Sequence, residues 1–218
     1  MLLKLARIQE QTLYSILEDD INEQTISNYP FVHVVFHLKN QSFLIERKSA
    51  VFSDVNSAKN VLEQLLNEKM REYYSELSIM PISNEMGFWD GIKVLEKLDE
   101  VTLFMKSPNL WLGESSTEEA LKDLENEYAN DELEISLRSS AGVIKPDNAR
   151  MRRVIDYITK GGGWWRIKGK KSGERKIISS RDNVESLSLP KNSLEDMSET
   201  VISDINKAVE IKERDSNA

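Results

Sequence analysis

Three consecutive glycines, Gly161–Gly163, separate a run with helical spacing from the stretch Trp164-Trp165-Arg166-Ile167-Lys168-Gly169-Lys170-Lys171-Ser172-Gly173-Glu174-Arg175-Lys176-Ile177-Ile178. No other junction restricts the fold as much. Glycine loses more backbone freedom on folding than any other residue, so a helix arriving here must stop. The two tryptophans that follow cannot share an environment if the segment is extended. Successive side chains of a strand point to opposite sides, which sets Trp164, Arg166 and Lys168 on one face and Trp165 and Ile167 on the other. Such a strand requires a sheet with one buried and one wet face. Gly169 and Gly173 are expected to supply the turn of a basic hairpin whose second strand carries Arg175 and Lys176.

Strand and helix signals alternate through the rest of the chain. Phe31 to Leu38 and Phe43 to Lys48 are rich in β-branched and aromatic residues and are predicted as a strand pair, with Val32, Val34, Phe36 and Leu38 on a core face. Ala58, Val61, Leu62, Leu65, Leu66 and Met70 recur at helical spacing behind Asp54 or Ser53 as cap. Strands are expected at Leu77–Met80 and Val101–Met105. Helices are expected around Phe88, Ile92 and Leu95, after the capping box Ser116-Thr117-Glu118-Glu119, and over Met151, Val154, Ile155 and Ile158. Leu133, Ile135 and Leu137 alternate with Glu132, Glu134, Ser136 and Arg138, the pattern of a half-exposed strand.

Near the N-terminus the spacing of Leu2, Leu5, Ile8, Leu13, Ile16 and Leu17 favours a helix, and the polar segment Asp19–Tyr29 reads as a loop. Leu194, Met197, Val201, Ile205 and Ala208 mark a C-terminal amphipathic helix, whose apolar stripe suits docking on its own sheet better than on a partner. The fold class that follows is α+β: a mixed, largely antiparallel sheet with helices mainly on one face and a C-terminal amphipathic helix. Residues 1–185 are expected to form one domain, and residues 186–218 a linker plus the acidic helix.

The chain has 218 residues and no cysteine, which leaves room for a stable core and excludes disulfides, thiolate metal sites and cysteine nucleophiles. No apolar run approaches the ~20 residues of a membrane span, and Met1–Glu10 lacks a signal-peptide pattern, so a cytoplasmic protein is expected, with no membrane partner. The formal charge of −8 is unevenly spread. Between Lys145 and Arg181 there are 12 Lys and Arg against 3 Asp and Glu, a net of +9, which leaves −17 for the remainder. That polarity would steer an acidic partner toward one region.

Cations beside planar side chains suit the backbone and bases of a single-stranded nucleic acid. The candidate nucleic-acid-binding residues are therefore Arg152, Arg153, Trp164, Arg166, Lys168, Lys170, Lys171, Arg175 and Lys176, with DNA or RNA as ligand. The competing reading places the tryptophans in the core and makes the chain a protein-interaction subunit, or a homodimer joined through the C-terminal helix.

Enzyme signatures are sparse. His33 and His37, predicted as partly exposed strand residues, would stand about 13 Å apart on a strand, too far to share one ion. Glu46-Arg47-Lys48 has the Glu-x-Lys spacing of metal-dependent nucleases, with Asp19 or Asp20 as a possible second ligand. The same spacing recurs at Glu174 and Glu210. No catalytic or metal-ligating set and no cofactor is assigned, and the chain is read as non-catalytic.

Phe43-Leu44-Ile45-Glu46, Val61-Leu62-Glu63-Gln64-Leu65, Lys106-Ser107-Pro108-Asn109 and Ile178-Ser179-Ser180-Arg181-Asp182 together resemble an uncharacterised family of bacterial proteins of unknown function found in mobile-element and phage-defence neighbourhoods. The resemblance spans residues 30–185. It implies a bacterial accessory or defence component that contacts nucleic acid, and carries over no site residues.

Overall fold

The computed structural model of the protein describes residues 1–17, 20–73, 76–106, 116–190, 193–196 and 198–214. In chain order the strands are β1 (Leu2–Ala6), β2 (Gln9–Leu17), β3 (Asp20–Asn28), β4 (Phe31–His37), β5 (Ser42–Ile45), β6 (Lys97–Lys106), β7 (Glu132–Arg138), β8 (Gly163–Lys171) and β9 (Glu174–Ser179). The helices are α1 (Val55–Met70), α2 (Glu85–Lys93), α3 (Ser116–Tyr128), α4 (Ala149–Tyr157), α5 (Ser193–Asp196) and α6 (Glu199–Arg214). The fold is α+β, and every pairing between these strands is antiparallel. The chain divides into two compact units, Met1–Ile79 with Leu189–Ile211, and a second built on Met80–Ser188.

In the first unit β4 is the middle strand of a sheet ordered β1-β4-β5. Val32 and Val34 bury one of its faces against Val51, Phe52, and Ala58 and Leu62 of α1. Val35, on the opposite face, packs against Val201 and Ile205 of α6. Both sides of β4 are thus covered by helices, which explains why its sequence is a nearly continuous apolar run. Asp54 caps α1 by accepting the Ser57 backbone N–H at 2.8 Å. The apolar stripe of α6 is buried on its own sheet; the side chains of Met197 and Ala208 lie outside the described residues.

Four expectations fail here. Leu38, expected on the core face with Val32 and Val34, lies beyond the end of β4 and is 68% exposed. The N-terminal stretch is two strands and not a helix, because the apolar spacing that suggested one runs across the break between β1 and β2. The segment read as a loop is β3, which pairs with β2 from Gln9↔Asn28 to Leu17↔Asp20 as a separate two-stranded ribbon. Leu77–Met80 forms no sheet strand: the Asn67 carboxamide accepts the Leu77 N–H (2.7 Å) and donates to the Leu77 carbonyl (2.8 Å), and Glu63 accepts the Ile79 N–H (2.8 Å). Side chains of α1 thereby satisfy the backbone that a neighbouring strand would have paired.

The second unit is a sheet ordered β7-β6-β8-β9, with α2, α3 and α4 on one face. Trp165 and Ile167 of β8 join Val101, Leu103 and Met105 of β6 beneath Phe88, Leu121, Met151 and Ile155 from the three helices. Trp165 is fully buried and meets Phe88 edge to face at 5.2 Å. The expected capping box falls in the first turn of α3, where the side chains of Ser116, Glu118 and Glu119 lie outside the described residues, as do Ser107-Pro108-Asn109 of the strand exit.

The hairpin turns at Ser172-Gly173, both at positive φ (52° and 80°), the conformation a two-residue turn between twisted strands requires. Gly169, expected in the turn, lies within β8. A Cβ there would sit 2.1 Å from the Lys97 carbonyl oxygen, so glycine lets β8 approach β6 where the register shifts between Leu98 and Glu100.

Candidate nucleic-acid interface

The strand register assembles a single face on the side of the β7-β6-β8-β9 sheet away from the helices. Phe104 of β6 lies opposite Trp164 of β8 and Glu134 of β7; Thr102 lies opposite Arg166 and Ser136; Glu100 lies opposite Lys168 and Arg138. Beyond them Lys97 faces Lys170, which faces Arg175 of β9, and Lys106 faces Glu132. By this register the face holds seven lysines and arginines and three glutamates, a net of +4.

The Trp164 and Phe104 rings are nearly parallel, 11° apart with centroids at 5.4 Å. The Arg181 guanidinium lies 4.6 Å from the Trp164 centroid and that of Arg166 5.8 Å. Arg181 is held there by a short turn at Ser180–Asp182. Ser180 is buried and its Oγ accepts the Trp165 backbone N–H at 3.1 Å.

Part of this charge is neutralised. The half-buried Glu100 carboxylate lies 2.7 Å from Lys168 Nζ, 3.5 Å from Arg138 Nε and 3.8 Å from an Arg166 nitrogen, and accepts the Thr102 hydroxyl at 3.2 Å. The Lys168 hydrogen bond dominates and, with help from Thr102 and the Lys168 and Arg138 charges, outweighs burial to hold the Glu100 carboxyl below its ordinary 4.5. One carboxylate among three cations still leaves a positive surplus, and it orients the ends of Lys168 and Arg166 on the face. Replacing Glu100 by glutamine should cost about 1–2 kcal/mol in urea denaturation. It should also steepen the salt dependence of oligonucleotide binding by about one unit of log Kd per log salt.

The structure brings together Trp164, Arg166, Lys168, Lys170 and Arg175, but not the whole expected set. Lys171 and Lys176 alternate onto the other side of the hairpin, where both are exposed. Arg152 and Arg153 belong to α4, in the helical layer across the sheet. Arg152 pairs there with Asp147 and lies 4.8 Å from the Trp89 ring centroid. Phe104, Arg138 and Arg181 complete the face and were not anticipated. The even positions of β6, Glu100, Thr102 and Phe104, alternate with the core residues Val101, Leu103 and Met105, and Thr102 is itself buried at 1% exposure; only the pairing with β8 joins them to Trp164.

The alternative site forms a different arrangement. His33 is buried at 6% exposure, contrary to the expected partial exposure, and His37 is half-buried. The Glu46 Oε2 accepts the His33 backbone N–H at 2.9 Å and lies 2.9 Å from His33 Nδ1. The carboxylate that a nuclease would offer to a metal is therefore engaged by a histidine. Asp20 stands on the β2–β3 ribbon, Asp19 lies outside the described residues, and no group of three or more acids and histidines among the described residues is placed to hold an ion.

Burial pushes the Glu46 carboxyl up, but the His33 backbone N–H and ring, with the Lys48 charge, outweigh it and hold it below its ordinary 4.5. Its contribution to stability is complete above that value and is lost as pH falls through the lowered one. Urea denaturation from pH 7 to pH 3 should show Glu46→Gln losing less stability than the parent on acidification.

A family model described as a domain of unknown function, DUF4747, matches residues 6–207. The chain belongs to the DUF4747 family. The match extends beyond residues 30–185 on both sides and takes in the β2–β3 ribbon and most of α6. No curated protein and no solved structure matches the chain. Among the described residues of this DUF4747 protein, no helix is long and apolar enough to cross a membrane.

Proposed function

We propose that this chain is a non-catalytic nucleic-acid-binding module that holds a single strand on the wet face of the β7-β6-β8-β9 sheet. The observation that carries the reading is the shared face of Trp164, Phe104, Arg166, Lys168, Lys170 and Arg175. A flat sheet lets successive bases lie against aromatic side chains while flanking cations follow the phosphates. Lys170 and Arg175 are exposed and enter no salt bridge among the described residues, so they are available to the backbone of a ligand. The resemblance to bacterial proteins of mobile-element and phage-defence neighbourhoods supports an accessory role in a system of that kind, inside the cell.

The test is fluorescence anisotropy of a labelled single-stranded oligonucleotide, DNA and RNA in parallel, titrated at several salt concentrations. A linear fall of log affinity with log salt, corresponding to roughly three to five phosphates, is expected. Absence of binding at low salt would remove the reading.

A further inference from the structure

We infer that the β2–β3 ribbon is a docking arm for a second copy of this chain, and that the wet face and outer edge of β9 in that copy receive it. The ribbon is nine residue pairs long, about 30 Å at the rise of a strand, and all its described side chains are exposed except the half-buried Gln9 and Ile26. Cross-strand pairing sets Tyr14, Ile16 and Ile21 on one face together with Glu10 and Glu23. Those three apolar side chains are 68%, 82% and 70% exposed. A two-stranded ribbon left in water is marginal, and a contiguous apolar tip on it marks a contact surface.

Charge selects the occupant. From Ile8 to Tyr29 the sequence has five acidic residues and no lysine or arginine, which disfavours nucleic acid, an acidic membrane surface, and packing of one arm on another. The complementary surface is present in the chain itself. β9 is an end strand of its sheet, with one edge unpaired among the described residues, and it carries Arg175 and the 56% exposed Ile177 beside Lys168 and Lys170. An unpaired edge next to an apolar side chain and lysines is what an acidic, apolar ribbon would join by strand addition. This inference rests on the charge and edge of the wet face and not on the nucleic-acid reading.

Sedimentation velocity of the full chain at micromolar concentrations should show a dimer or larger oligomer at about 50 mM salt that dissociates by about 500 mM, as screening shortens the reach of the charges. Glu10→Lys/Glu23→Lys on the arm and Lys170→Glu/Arg175→Glu on the face should each give monomers. Mixed in equal amounts, the two variants should associate again, because their reversed charges are once more opposed. A parent that is monomeric at low salt, an arm variant that associates like the parent, or a mixture that stays monomeric overturns the inference. An arm seated on the basic face of its own chain would leave every sample monomeric and counts against it equally. The arm variant should retain oligonucleotide binding, so failure here and failure of the nucleic-acid reading are told apart in the same samples.

Discussion

Replacing Lys170 and Arg175 together by glutamate is expected to weaken single-stranded oligonucleotide binding about 100-fold at low salt, since two phosphate contacts become two repulsions. Both side chains are exposed on facing positions of β8 and β9, and neither supports the core, so thermal unfolding of the variant should be little changed. Arg152→Glu/Arg153→Glu reverses the same amount of charge on α4 and should alter affinity by less than about threefold. That comparison separates a ligand held on one sheet face from a general attraction to a basic segment. Equal losses in the two variants would show that the strand register does not define the site.

The adjacent tryptophans should respond in opposite ways. Trp165 is completely buried among Phe88, Ile155 and Ile167, and Trp165→Ala should cost about 3–5 kcal/mol in urea denaturation, enough to leave a marginal protein partly unfolded. Trp164 lies on the other side of the same strand beside Phe104 and Arg181. Trp164→Ala should lose about tenfold or more in oligonucleotide affinity, as expected for one stacking platform, at a much smaller cost in stability. A Trp164 variant that binds as the parent does would place the ligand elsewhere. A Trp165 variant with parental stability would contradict the packing of the sheet.

What could be read in advance follows from the range of the interactions concerned. The alternation of β8, a cap for α1 at Asp54 or Ser53, the apolar stripe of α6 and the α+β class are local patterns, set by side-chain periodicity and nearby hydrogen bonds, and they are visible in the residues alone. The β2–β3 ribbon was not visible, because its apolar residues face no core of their own unit and so carry no reliable period. Leu77–Met80 departs from its strand-like pattern for the converse reason: its backbone groups are satisfied by Asn67 and Glu63 from α1, and nothing within the segment announces those partners.

The candidate site divides along the same line. The sequence by itself determined that cations and a tryptophan share one side of a strand ending in a tight turn, because strand geometry alone requires it. Only the tertiary structure decided that Phe104, Arg138 and Glu100 join that side while Arg152 and Arg153 do not, and that His33 occupies Glu46. These outcomes depend on which strands pair, in what register, and on which face the helices settle. Burial of Trp165 and its neighbours stabilises that choice across residues far apart in the chain, where no local pattern reaches.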